Sequence, residues 1–297
     1  MAIINQYSSD KERVKQYYNQ ESSVYMDFYK KTWDEYPEQA IRLNFIIKIL
    51  KQKKINNIYD VGCGTGGPMI KMLNNKIKAE GGDFAEKMVE EGKEELKKAG
   101  YNSNLLNKID LEDRKTLPKK KYNSALALGV FPHILDQKKG LKNINFLLKK
   151  NGSAFISFRN DLFALSTLNE YSLDLFLNRL FNIKVFPKKI QQEVLKFYKD
   201  RLKTTVSIKK ENGNVLYTSI MARFHNPLTL EEELFKPCGF KITKIHFYHY
   251  HALPSFFQKK YKKIYDNESL KLEHTNDWKG YFLASAFVVE AKKIKNA

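Results

Sequence analysis

The stretch Asp60-Val61-Gly62-Cys63-Gly64-Thr65-Gly66-Gly67-Pro68 decides how this 297-residue chain is read. Strand-like Asn57-Ile58-Tyr59 runs into it, and a helical pattern, Met69-Ile70-Lys71-Met72-Leu73, runs out of it. Glycines at the alternate positions 62, 64 and 66 let the backbone turn sharply and let a ligand approach it closely. The helix behind the turn aims its free N–H groups and the positive end of its dipole at that ligand. Several nucleotide folds use such a turn. A dinucleotide fingerprint can be drawn through Gly62, Gly64 and Gly67. The Gly-Lys-Ser/Thr of a phosphate-binding P-loop is absent.

Outward from the turn, the pattern alternates. Strands are expected near 57–61, 78–83, 104–109, 123–129 and 152–158, and helices near 68–75, 85–99 and 138–149. Alternation of this kind predicts a parallel sheet covered on both faces. Two helices precede it, over 9–32 and 40–52, from apolar residues near helical spacing. Beyond Arg159 the regularity stops. Residues 161–202 are rich in Leu and Phe at helical spacing, with Pro187 dividing them. Runs 204–209 and 215–223 then alternate around Asn212-Gly213, a hairpin signal. A helix over 228–237 and long strands over 240–250 and 280–291 close the chain. The organisation expected is an N-terminal helical cap (1–53), a core (54–160 and 226–297) and an inserted element (161–225). Open parallel sheets bind ligands at the carboxyl ends of their strands. An insertion after the fifth strand would stand over that crevice as a lid and recognition element.

Four further motifs follow the glycine turn in order: Ala79-Glu80-Gly81-Gly82-Asp83-Phe84-Ala85-Glu86-Lys87-Met88, Ile109-Asp110-Leu111-Glu112, Ala125 to Ile134 around Gly129, and Leu147 to Ser157 around Asn151-Gly152. Together with Asp60 to Gly66 they resemble the ordered motifs of class I S-adenosylmethionine-dependent methyltransferases, over about a third of the chain. The resemblance implies a Rossmann-like α/β fold. Its seven-stranded, mostly parallel sheet would carry helices on both faces, the N-terminal cap, and a helix-plus-hairpin insertion after strand 5. It also implies S-adenosyl-L-methionine as cofactor. Asp60, Gly62 and Gly64 would meet the methionine end. Asp83, 17 residues past Gly66, would hold the ribose hydroxyls; as a plain structural residue it would cap the next helix. Asp110 would meet the adenine, with Asp113 as a competitor, and Gly129 would pass close to the cofactor's amino group. Cys63, Gly66, Phe84, Met88 and Leu111 belong to the same motifs and are counted in the cofactor site, although Cys63 also reads as a small packing residue. Tyr18, Tyr25 and Trp33 resemble the cap of small-molecule methyltransferases.

Methyl transfer is a displacement at a sulfonium carbon, so the protein must align the acceptor, exclude water and, for a hydroxyl, remove a proton. His133, His249 and His251 are the candidate bases, because histidine titrates near neutrality. Strand alternation puts His249 and His251 on one face and Tyr248 on the other. Arg159, Asn160 and Tyr248 are candidates for holding substrate, Arg159 through a phosphate or carboxylate. Asp136, Asn160 and Asp161 are too thin a set for a metal site, and none is expected.

Composition narrows the partners. The net charge is +19, yet only seven of the 52 cations are arginine and the lysines are spread along the chain. A lysine-rich background accounts for most of that charge; Lys119–Lys121 and Lys259–Lys263 are the densest clusters. The Asn/Asp-Pro-Pro-Tyr tetrad of amino-methylating nucleic-acid enzymes is missing, as are the paired cysteines of base-carbon methylation. Nucleic acid is therefore not the expected partner. No apolar run reaches the eighteen residues of a spanning segment, and two distant cysteines fit a reducing, cytoplasmic setting. The leading expectation is O-methylation of a small polar acceptor, with or without an anionic group, such as a sugar, sugar nucleotide or surface-polysaccharide (capsule) precursor. This rests on the histidines, Arg159 and a faint resemblance of the insertion to glycan-pathway enzymes. Alternatives are a lipid, quinone or secondary metabolite lying against Phe163, Tyr171, Phe176 and Phe181; an RNA-binding methyltransferase or non-catalytic binding module; and, from the glycine turn alone, a nicotinamide-dependent oxidoreductase.

Overall fold

A computed structural model describes residues 2–27, 36–180, 183–202, 215–275 and 277–297. Helix α1 (Ala2–Tyr25) and helix α2 (Glu38–Gln52) precede the sheet. The chain then alternates: β1 (Asn57–Val61), α3 (Gly67–Asn74), β2 (Lys78–Asp83), α4 (Glu86–Lys98), β3 (Leu106–Lys108), β4 (Tyr122–Ala127), α5 (Gln137–Leu147) and β5 (Leu148–Asn160). Short helical turns and α6 (Lys188–Leu202) follow. The two-residue strand β6 (Phe224–His225) and β7 (Phe240–Tyr250) come next, then α7 (Lys262–Leu272) and β8 (Ala284–Lys293).

The sheet order is β3-β2-β1-β4-β5-β8-β7, with β6 pairing beside the end of β5. Strands β1 to β5 are parallel; β8 runs antiparallel to both β5 and β7. This is the α/β, Rossmann-like arrangement expected, with β6 as a small addition to the seven strands. Strand order reverses between β1 and β4, where such sheets leave a crevice.

Both faces are buried because successive residues of each strand point to opposite sides. Tyr59, Val61, Ala125, Ala127, Ala154, Ile156 and Phe158 join one core with α5. Ile58, Leu126, Leu128 and Phe155 join the other, with Leu43, Ile46 and Leu50 of α2 and Met69 and Met72 of α3. The same alternation turns Asp60 into the second core.

Several boundaries differ from the sequence reading. Strand β5 begins at Leu148, before Asn151, whose φ of +61° and the irregular register against β4 absorb the Asn-Gly turn inside the strand. Residues 215–223 are not a strand; they hold the single turn Tyr217–Ser219 and enter β6. The run 204–209 and its Asn-Gly turn lie outside the described residues, as do Trp33 and Phe181. The stretch from residue 280 starts as a helical turn, Gly280–Leu283, before β8. Helix α7 was not anticipated, because its buried face is only Tyr265, Asp266 and Ser269, which carries almost no apolar periodicity.

Candidate active site

The strand-to-helix turn is built from positive-φ glycines: Gly62, Gly64 and Gly66 at +68°, +54° and +79°. Only glycine adopts these angles without strain. At Gly62 a Cβ would stand 2.3 Å from Val130 Cγ2, and at Gly64 2.8 Å from the Tyr25 ring. The turn is therefore overlaid by α1 on one side and by the exit of β4 on the other.

Asp83, at the end of β2, ties this turn down. Its Oδ2 accepts from Gly64 N at 2.8 Å and its Oδ1 from Ala85 N at 2.9 Å. Burial pushes the Asp83 carboxyl above its ordinary range, while these N–H groups pull it back. The helix N-cap is Ala85, with no side-chain cap, so Asp83 ties the glycine turn rather than capping α4. Asp110, rather than Asp113, reaches the same space: Lys11 Nζ lies 2.7 Å from Asp110 Oδ2, and Asp113 caps a separate turn.

These groups surround a cavity enclosing about 780 Å³ including its open mouth. Gly62, Gly64, Asp83, Phe84, Met88, Asp110, Leu111 and Gly129 line it, and Tyr18, Tyr25 and His133 cover it. The Tyr18 ring meets Tyr25 and His133 edge-on, with centroids 6.1 and 5.8 Å apart. Burial raises the Tyr18 hydroxyl well above its ordinary range. Sequence reasoning missed Lys11, Lys15 and Glu112 here. Both lysines stand over the Phe84 ring, at 5.1 and 5.6 Å, and Lys11 also pairs with Glu112 at 3.3 Å.

Three expected cofactor residues stand behind the walls. Cys63 is buried in the core, its thiol directed at the Gly64 carbonyl, which agrees with its reading as a packing residue. The Cα of Gly66 faces Leu106 and Gly92 rather than the cavity. Asp60 is fully buried beneath the turn, and its Oδ2 has no hydrogen-bond partner among the described residues. Burial pushes its carboxyl up to about 8, against the pull of Arg42 and with the push of Asp83.

A second cavity, about 1380 Å³ including open solvent, adjoins the first; Gly129 and His133 line both. Its walls hold Arg42, Arg159, Ser157, Tyr217, Tyr248 and His249, with Glu38 as a carboxylate and Phe163 and Tyr171 from the inserted segment. Gly129 N donates to Ser157 Oγ at 2.7 Å, which fixes the exit of β4 against β5. The Arg159 guanidinium donates to the Tyr217 hydroxyl and lies over the rings of Tyr217 and Phe224, at 5.0 and 5.7 Å. Among the described residues it is held by rings rather than by a carboxylate. Arg42 donates to Tyr248 Oη at 3.2 Å and to Gln39.

His133 Nδ1 lies 2.6 Å from the Met221 carbonyl. A carbonyl only accepts, so Nδ1 carries the proton and Nε2 the lone pair. Burial lowers the His133 pKa to about 4, which keeps the ring neutral at pH 7. His249 has φ of +59°, which breaks strand alternation at the end of β7. That is why Tyr248 and His249 line the same cavity instead of opposite faces. Its Nδ1 is 2.9 Å from Ser285 Oγ. His251 shares a face with His249, the rings 4.7 Å apart, yet it is buried behind Phe163 and bonded to the Tyr265 hydroxyl, outside the cavity walls. Asn160 is likewise structural. Its Nδ2 donates to the carbonyls of Tyr281 and Ala284, both at 2.8 Å, and its Oδ1 accepts from Leu162 N at 3.1 Å. Phe176 stacks on Tyr198 of α6, away from this cavity. Among the described residues no three His, Cys, Asp or Glu cluster as metal ligands.

Comparison with known proteins bears on the family and the fold. Residues 59–154 match a family described as a methyltransferase domain. Magnesium protoporphyrin IX methyltransferase of Synechocystis, solved with bound S-adenosylhomocysteine, superposes with a TM-score of 0.53 at 16% identity over 96% of this chain and 99% of that one. An S-adenosylmethionine-dependent methyltransferase of Clostridium acetobutylicum superposes at 0.50, with 12% identity over 87% and 92% of the two chains. At these identities the likeness concerns the fold. An uncharacterized protein of Haemophilus influenzae is 28% identical over 149 residues, 47% of this chain; the match spans 59% of that protein's length.

The sheet order and the glycine turn fit the match of residues 59–154 to a methyltransferase domain, for which S-adenosylmethionine is the cofactor. The first cavity suits that cofactor: a glycine cradle that a Cβ would fill, a buried carboxylate beside it, and apolar walls for a planar base.

Proposed function

We propose that the whole protein methylates an oxygen of a small polar acceptor bearing an anionic group, in the manner of a sugar, sugar nucleotide or glycan precursor. The observation that carries this reading is the junction of the two cavities at Gly129 and His133. Asp83, Phe84, Met88, Asp110 and Leu111 would hold the adenosyl end of the cofactor. Gly62 and Gly64 would serve the methionine end, with the protonated carboxyl of Asp60 supporting the turn from beneath. When bound, S-adenosylmethionine supplies an electrophilic methyl on sulfur. His133 Nε2 is the group to take the hydroxyl proton, with His249 as the other base within the same cavity. Arg159, preorganised on two rings, would hold the acceptor's phosphate or carboxylate. The inserted segment would act as lid and recognition element through Phe163 and Tyr171, and these rings would cover the less polar side of the acceptor.

The test is methyl transfer from labelled cofactor to a panel of hydroxylated acceptors with and without a phosphate or carboxylate. Arg159→Ala should raise KM for the anionic acceptors by about 10- to 100-fold, the loss of a charge-assisted pair, and leave cofactor affinity unchanged. Efficient methylation of uncharged aromatic acceptors, indifferent to Arg159→Ala, would favour the lipid, quinone or secondary-metabolite reading instead.

A further inference from the structure

The twelve residues from Leu253 to Ile264 follow β7 and contain four lysines and no acid. Among their large apolar residues, Leu253 precedes the short helical turn Ser255–Phe257, Phe257 ends it, Tyr261 caps α7 and Ile264 lies in the first turn of α7. The backbone closes on itself between these two elements: Tyr261 N donates to Phe257 O at 3.0 Å, and Tyr265 N to Tyr261 O at 2.8 Å. All four side chains face water, with exposures of 43, 36, 43 and 63%. The helix that follows is anchored. Tyr265 and Ser269 are buried, Ser269 Oγ accepts from Ala252 N at 3.0 Å, and Tyr265 bonds to His251. Ser255, between Leu253 and Phe257, lines the second cavity. Exposed large apolar side chains on a firmly held segment mark an interaction surface.

We propose that residues 253–264 dock the protein onto an anionic lipid bilayer and so place the second cavity beside the headgroup layer. Lys259, Lys260 and Lys263 supply the positive charge, and Lys262 is partly offset by Asp266 at 2.8 Å. A segment that exposes both lysines and apolar side chains binds an anionic interface through both terms at once. Single-stranded RNA would need separate ring faces on which bases can stack. Here Phe257 and Tyr261 stack on each other, with centroids 6.2 Å apart, and the outer two residues are aliphatic. The docking stands apart from the transfer chemistry and needs no cofactor.

Flotation of the full chain with phosphatidylcholine vesicles, with and without phosphatidylglycerol, tests it. Capture should require phosphatidylglycerol and fall as salt rises. The triple variant Lys259→Gln, Lys260→Gln, Lys263→Gln should weaken partitioning by about 100-fold, at about fivefold per lysine. Leu253→Ser with Ile264→Ser should weaken it as well. Both variants alter exposed side chains and should keep the wild-type Tm and affinity for S-adenosylmethionine. Absence of capture, capture unchanged in both variants, or retention of a polyuridylate strand with vesicles excluded would overturn the proposal.

Discussion

Asp60 is the residue whose environment departs furthest from its chemistry. It is a carboxyl sealed between Arg42 and the glycine turn and pushed up to about 8. In the unfolded chain it ionises near 3.8, so the folded state holds a proton that the unfolded state has released. Its contribution to stability is therefore present at acid pH and is lost as the pH rises from about 4 to about 8. Asp60→Asn cannot ionise, and its melting temperature should decline less than the wild type's over that range. Parallel melting curves at a series of pH values check this; identical declines would place the proton elsewhere. At this scale the sequence was legible where a motif ends a strand, as for Asp83, Asp110, Gly129 and His133, because strand ends converge on the crevice in any such sheet. It was not legible for Asn160, whose carbonyl partners lie some 120 residues further along the chain. Nor was it for His251, which Phe163 and Tyr265 cover. Arg42 offered one overlooked signal: a rare arginine within the apolar run Ile41-Arg42-Leu43 of a lysine-rich chain.

Among the elements, the turn between β1 and α3 has least room to vary. Gly64→Ala would impose a left-handed angle on an L-residue, at about 1–2 kcal/mol. It would also drive a Cβ into the Tyr25 ring, which stands only 2.8 Å away. Denaturant unfolding should show a stability loss of at least that size, and S-adenosylmethionine should bind more weakly as Tyr25 is displaced from the cavity's cover. Wild-type stability would mean that the turn adopts another conformation. Strands β1 and β2 were readable to the residue and β3 to β5 in place but not in length, because strands buried on both faces leave short apolar runs punctuated by glycine and acid. The inserted segment was not, since its Leu and Phe positions serve short turns, α6 and cavity walls at once, and no single period separates those uses. Strand β6 is too short to leave a period at all.

For the whole molecule, the arrangement that matters is two adjoining cavities at one end of the sheet, joined at Gly129 and His133. The first is built almost wholly from residues 60–134 with α1 laid across it. The second draws on α2, the inserted segment and the ends of β5, β7 and β8. Residues from so many separate stretches meet only through the sheet order, which a linear motif search does not give. Among the described residues no helix is long and apolar enough to cross a membrane, and the docking proposed for residues 253–264 requires none. The account depends most on Asp83 and the glycine turn holding one ligand between them. Titration calorimetry with S-adenosylmethionine on the wild type and Asp83→Ala measures this directly. We predict saturable binding to the wild type, preferred over NAD, and a loss of about 1–3 kcal/mol in the variant, the worth of hydrogen bonds to a charged acceptor. An unchanged dissociation constant in Asp83→Ala, or tighter binding of NAD than of S-adenosylmethionine, would contradict it.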